Sequence, residues 1–171
     1  MIMINTGDGK GKTTAAVGQI IRSLGRGWKV LLIQLFKGEE FYGEQLILKK
    51  LKNLDFRSFA PRHPFCFRDT KAQDVRKQCL EALDFLKKNI RGKNQYNLIV
   101  LEEFNVALRD GFLKVKEVLE VIKQIPPDAN IIITGRGAPK ALVKVAGLVT
   151  EMKMIKHPYT KGIAAQKGLE Y

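Results

Sequence analysis

The sequence predicts an α/β fold in which a mainly parallel sheet is covered by helices on both faces. Short apolar runs rich in branched residues alternate with longer amphipathic stretches along the whole chain, and several runs are apolar throughout, as strands buried on both faces must be. Glycine-rich turns follow two of these runs and open helices, which is the punctuation of successive βα units joined by right-handed crossovers. With 171 residues, the chain matches the rough size of ~100 to 200 residues for one domain, so residues 1–171 are expected to form one.

The elements follow in order. Ile2 to Asn5 reads as a strand and Lys12 to Leu24 as a helix stopped by Gly25 and Gly27. Lys29 to Phe36 is a buried strand, Tyr42 to Leu51 a helix and Leu54 to Phe59 a strand. The stretch Ala60 to Thr70, APRHPFCFRDT, carries two prolines, three basic residues and two phenylalanines without a period, and reads as a functional or surface loop. Beyond it lie a helix at Ala72 to Ile90, a strand at Asn97 to Leu101 and a helix at Lys114 to Ile125 that the Pro126-Pro127 pair ends. Asn130 to Thr134 is a strand, Pro139 suits the first turn of a helix reaching Val145, and Leu148 to Met154 is the last strand. The tail from Pro158 to Tyr171 has no period.

Composition narrows the function. Hydrophobic residues at 45% and charged residues at 27% exclude a disordered or membrane-embedded class. Thirty Lys and Arg against 17 Asp and Glu give a net charge of +13, which favours a polyanionic partner but also fits a merely basic surface. Cys66 and Cys79 are too few for a disulfide framework and form no CxxC pair, so a reducing, cytoplasmic setting is expected. No apolar stretch approaches the ~18 residues of a membrane span, so no membrane contact is expected.

The strongest chemical signal is TGDGKGKTT, Thr6 to Thr14, between the first strand and the first helix. Gly7, Gly9 and Gly11 let backbone N–H groups wrap a phosphate at a helix N-terminus; Lys12 adds a point charge and Thr13 a hydroxyl for magnesium. Thr6 stands where the GxxxxGK[ST] pattern has its first glycine, so the match is to the second half of the motif. The fold class is accordingly a P-loop NTPase of the RecA-like kind. Leu98 to Glu103, LIVLEE, is an apolar strand ending in two carboxylates suited to magnesium or nucleotide work, or alternatively to the dipole of a following helix. A third turn, TGRGAP at Thr134 to Pro139, places Arg136 where it can meet a phosphate or stand as an exposed turn residue. A parallel sheet brings all three segments to one carboxyl edge, where ligands bind in open α/β folds.

Taken together, these residues resemble the P-loop ATP:corrinoid adenosyltransferases, the family that makes adenosylcobalamin. The resemblance runs from TGDGKGKTTAA through QLFKG at Gln34 to Gly38 with Gly43-Glu44, the acidic strand end, ALRDG at Ala107 to Gly111 and TGRGAP, to the ending LVTEMKMIKHPYTKGIAAQKGLEY. It implies that Co(I) of a reduced corrinoid attacks C5' of ATP and that the triphosphate leaves, so the loop would hold a leaving group, with ATP lying in the reverse sense along it. Carried over, Thr6, Gly7, Asp8, Gly9, Lys10, Gly11, Lys12, Thr13, Thr14 and Arg136 would bind ATP; Lys12, Thr13 and Glu103 would carry catalysis. Thr13 and Glu103, with Glu102 beside them, would hold Mg2+; Glu102 stands where the family usually has aspartate. Phe65 and Phe67 would match the family's Phe-x-Trp loop against the corrin, with phenylalanine in place of tryptophan; the alternative is that both rings anchor the loop to the core. The resemblance further implies a homodimer and a flavoprotein reductant. Two rivals are a nucleic-acid-dependent ATPase, suggested by basic clusters at Lys49, Lys50, Lys52 and at Lys87, Lys88, Arg91, Lys93, and a P-loop kinase of a small metabolite. With no RNP-like or recognition-helix signature, nucleic acid is not expected as a partner.

Overall fold

The computed structural model describes residues 1–38, 42–90 and 95–171. Of the basic clusters named above, Arg91 and Lys93 lie outside the described residues. Six strands form one sheet: β1 (Ile2–Thr6), β2 (Val30–Leu35), β3 (Leu54–Phe59), β4 (Leu98–Glu102), β5 (Asn130–Thr134) and β6 (Leu148–Glu151). Their order is β3-β2-β4-β5-β1-β6, and each neighbouring pair runs parallel. The central strands β2 and β4 are buried at every position, which accounts for their unbroken apolar runs, whereas β6 at one edge is exposed throughout.

Alternation along the strands sorts the core into two layers. Val30, Leu32, Leu98, Val100 and Ile132 face α1 (Lys12–Leu24) through Ala16 and Ile20, and α2 (Gly43–Leu48) through Leu48. Leu31, Ile33, Leu35, Ile99, Leu101 and Ile133 face the opposite way. They pack against α3 (Ala72–Ile90), α4 (Phe104–Arg109), α5 (Val115–Ile122) and α6 (Lys140–Val145). Each of these buried aliphatic side chains contributes ~1.5 to 3 kcal/mol relative to exposure, so the two layers together fix the sheet between its helices.

The elements depart from the sequence reading mainly at their ends. α2 stops at Leu48 and α5 at Ile122, both short of the expected limits, and Pro139 precedes α6 rather than occupying its first turn. β4 runs one residue further than expected and takes in Glu102, while β6 ends at Glu151, short of Met154. α4 was not among the helices read from the sequence. The tail holds a short 3-10 helix at Pro158–Lys161, where proline sits at the start and Gly162 ends it at φ 70°.

The topology matters for function because β2, β4, β5 and β1 are consecutive neighbours. Their carboxyl ends therefore form one row, and the segments that follow them, from Phe36, Glu103, Gly135 and Gly7, emerge side by side.

Candidate nucleotide site

The loop after β1 is shaped by contacts with the segment after β6. The Gly9 N–H donates to the Met152 carbonyl at 2.6 Å, and a Cβ at Gly9 would fall 2.6 Å from that same oxygen, so no larger residue fits. Gly11, at φ 113°, turns the chain into α1, whose N-terminus has neither a capping side chain nor an acidic residue in its first turn. Its free N–H groups and the positive end of the helix dipole are thus left for an anion. Lys12 is 8% exposed, and its ammonium donates to the Gly9 carbonyl at 2.6 Å across the loop. Burial, and then the Arg136 charge, hold that ammonium below its ordinary value, a tension that an added anion would relieve.

Next to the loop, the β4 carboxylate Glu102 is 1% exposed and fully engaged. Thr13 Oγ1 donates to its Oε1, Thr134 Oγ1 donates to its Oε2, and the Lys37 ammonium lies 3.4 Å from Oε1. Lys37 also donates to Thr13 Oγ1 and to Glu44 Oε1, both at 3.3 Å, and sits 4.8 Å from the centre of the Tyr42 ring. Burial disfavours the Lys37 charge, but Glu102, Glu44 and Glu103 outweigh it and raise the ammonium above its usual value. Glu103 adopts φ 63°, a left-handed conformation unusual for a residue with a side chain, and its N–H donates to Thr134 Oγ1 at 3.0 Å. Burial first, and the neighbouring Glu102 carboxylate second, push the Glu103 carboxyl up to about 7. Thr134 on β5 thus links β4 to the turn after β5, where Gly135 takes φ 121°, a conformation that strains any side chain, and where a Cβ would also lie 3.0 Å from the Val106 backbone nitrogen.

A cavity of about 600 Å³ opens above these groups. Gly9, Lys10, Gly11, Lys12, Thr13, Thr14, Glu103 and Arg136 all border it, so the structure brings these expected residues together. Glu102 lies beneath it, joined through Thr13. Thr6, Gly7 and Asp8 sit to the side: Thr6 Oγ1 accepts from the Ala138 N–H at 3.2 Å and so ties the first loop to the TGRGAP turn, while Gly7 packs under Met152. Lys37 and the C-terminal segment also border the cavity, and sequence reasoning assigned neither a place there. Lys10 donates to the Leu169 carbonyl and lies 3.6 Å from Glu170, and Gly168 and Tyr171 border the cavity. The signal for both was in the text of the sequence, in QLFKG and in the KGLEY ending, but neither had a spatial partner there.

Phe65 and Phe67 are 92% and 44% exposed, so they are not core anchors. The Arg62 guanidinium covers the Phe67 ring at 5.2 Å. Cys66 is exposed and Cys79 buried, both as free thiols. Among the described residues, no group of three or more His, Cys, Asp or Glu side chains could hold a metal alone, and no helix is long and apolar enough to cross a membrane.

A parallel sheet whose first strand feeds a glycine-rich lysine loop, with a threonine bonded to a carboxylate from a strand two places away, defines a P-loop NTPase-like nucleotide-binding protein. The chain belongs to the ATP:corrinoid adenosyltransferase BtuR/CobO/CobP family, which matches residues 1–171. It is 35% identical to a corrinoid adenosyltransferase of Sinorhizobium sp., 32% to one of Pseudomonas aeruginosa and 30% to one of Escherichia coli strain K12. Each similarity covers 100% of this chain and 80%, 83% and 85% of the respective relatives. The protein is therefore a transferase acting on ATP and a corrinoid, in adenosylcobalamin biosynthesis or salvage.

Proposed function

We propose that this chain, as one domain over residues 1–171, joins the 5'-deoxyadenosyl group of ATP to the Co(I) centre of cobalamin or of a precursor such as cob(I)yrinic acid a,c-diamide. The electron pair of Co(I) forms the new Co–C bond, the C5'–O bond breaks, and triphosphate departs with the electrons of that bond. The observation that carries this reading is the cavity at which the α1 N-terminus, Lys10, Lys12 and Arg136 converge, in a chain that also exposes Phe65 and Phe67. The N–H groups at the start of α1 and the Lys12 charge bind and orient the triphosphate and stabilise the charge that grows on its leaving oxygen. Arg136 and Lys10 add to that field from the rim.

The donors around Thr13 fit Mg2+. The Thr13 hydroxyl and the Glu102 and Glu44 carboxylates are hard oxygens already gathered around the Lys37 cation, and Glu103 borders the same cavity. Bound there with the triphosphate, magnesium would supply further charge neutralisation on the leaving group. Phe65 and Phe67 offer the corrin an apolar face that shields cobalt from water without donating a lone pair. A flavoprotein as the source of electrons for Co(I), a homodimeric state and a cytoplasmic location complete the reading.

Lys12→Ala tests it. Because, among the described residues, the Lys12 ammonium bonds only to the loop that it serves, the variant should keep its circular-dichroism melt and lose ATP binding and adenosyl transfer. Wild-type transfer in the variant would remove the loop from the mechanism.

A further inference from the structure

The segment that presents Phe65 and Phe67 is organised around one histidine. Pro64 fixes a turn after His63, and the His63 carbonyl accepts from the N–H groups of Cys66 and Phe67, both at 3.0 Å. The His63 ring takes a third amide of the same segment, since the Phe65 N–H donates to Nδ1 at 3.1 Å. The other ring nitrogen, Nε2, lies 3.0 Å from Asp110 Oδ2. Hydrogen bonding from Arg109 holds the Asp110 carboxyl below its ordinary value, so it is ionised and can only accept. Both contacts are satisfied together in one form of the ring alone, neutral with its proton on Nε2. The imidazole also stands edge-on to Phe36 and Phe112, with ring centres 4.8 Å and 5.3 Å away.

These partners lead to the nucleotide site by two short routes. Phe36 directly precedes Lys37, which pairs with Glu102. Asp110 closes α4, the helix that begins directly after Glu103. We propose that His63 is the positioning residue of the corrin-facing segment, holding Phe65 and Phe67 at a fixed place relative to the triphosphate site by bonding their backbone on one side and Asp110 on the other. The inference rests on the reading of Phe65 and Phe67 as corrin contacts. His63 itself touches neither substrate; it acts through the segment that it orders, and its loss should therefore appear as weaker corrinoid capture rather than as slower transfer from a saturated enzyme.

Cys66 supplies the probe, because it is exposed between the two phenylalanines while the other thiol, Cys79, is buried. Thiol labelling of the full-length protein is measured with and without cobalamin, together with amide hydrogen exchange of the segment and steady-state kinetics, for wild type, His63→Ala, His63→Asn and Asp110→Ala. In wild type, cobalamin should slow labelling of Cys66. In His63→Ala the Phe65 to Phe67 amides should lose protection and KM for cobalamin should rise by roughly five- to thirtyfold, the effect of losing one or two hydrogen bonds, with kcat at saturation and the Kd for ATP unchanged. His63→Asn keeps an acceptor for the Phe65 amide but cannot reach Asp110, so its KM should fall between those two, close to that of Asp110→Ala. If cobalamin does not protect Cys66 in wild type, the corrin assignment of the segment falls and the inference with it. If protection is present but His63→Ala matches wild type in amide exchange and KM, the inference alone is overturned. A His63→Ala variant that melts early and loses ATP binding would equally overturn it, by making His63 a structural anchor.

Discussion

Glu103 carries the most consequential residue-scale property of the site. Its carboxyl, raised to about 7 from an ordinary 4.5, keeps its proton in the folded protein over a range where the unfolded chain releases it. Its contribution to stability is therefore full below about pH 4.5 and is lost as the pH rises through about 7. Glu103→Gln, which has no charge to bury, should melt above the wild type at about pH 8 and together with it at about pH 4, a comparison that thermal melts without nucleotide can make. The same variant should need more magnesium for activity, because an amide keeps the shape and loses the anion. Lys37 has the opposite logic, as the counter-ion of a carboxylate that is almost wholly buried. Lys37→Met leaves Glu102 without it, and breaking a buried pair from one side costs about 3 to 5 kcal/mol; urea midpoints at neutral pH should fall accordingly. The role of Lys37 was illegible in the sequence for a physical reason. A lysine one step past a strand is ordinarily solvated, and only the placement of β2 beside β4 brings it to Glu102.

At the scale of elements, strand and helix identities were legible wherever a period had room to repeat. α1 and α3 have the limits that their apolar spacing indicates, whereas the six-residue α4 was not read from the sequence. Yet α4 is what sets Glu103 at a helix start and Asp110 at its end, so the acidic strand end could be read while its geometry could not. The helical layer over α4 is tied by a forked pair between α3 and α5. Arg76 donates to Glu117 through both terminal nitrogens, one of them at 2.8 Å, and to the Phe112 carbonyl at 2.7 Å. Chiefly through these bonds, Arg76 draws the Glu117 carboxyl down to about 2. A depressed acid gives stability that is present above about 4.5 and is lost as the pH falls toward 2. Arg76→Ala should thus cost on the order of 1 kcal/mol at neutral pH, a partly exposed pair being worth no more, and the gap from wild type should close in acid melts.

For the whole molecule, the decisive fact is the strand order, which no local pattern encodes. The βα rhythm told that the sheet would be parallel, but the position of β5 between β1 and β4 is what lets Thr134 bridge Glu102 and Glu103 and what widens the space between the phosphate loop and the acidic strand end. Of the basic residues behind the net charge of +13, Lys10, Lys12 and Arg136 meet at one cavity, while Lys49, Lys50, Lys52 and Lys88 are exposed. The fate of the phosphates separates an adenosyl transferase from an ATPase or a kinase built on the same sheet. The purified protein, given ATP, magnesium and chemically reduced Co(I) cobalamin, should yield adenosylcobalamin with its Co–C bond and one intact triphosphate for each. Release of ADP, or of phosphate without a Co–C bond, would contradict the account.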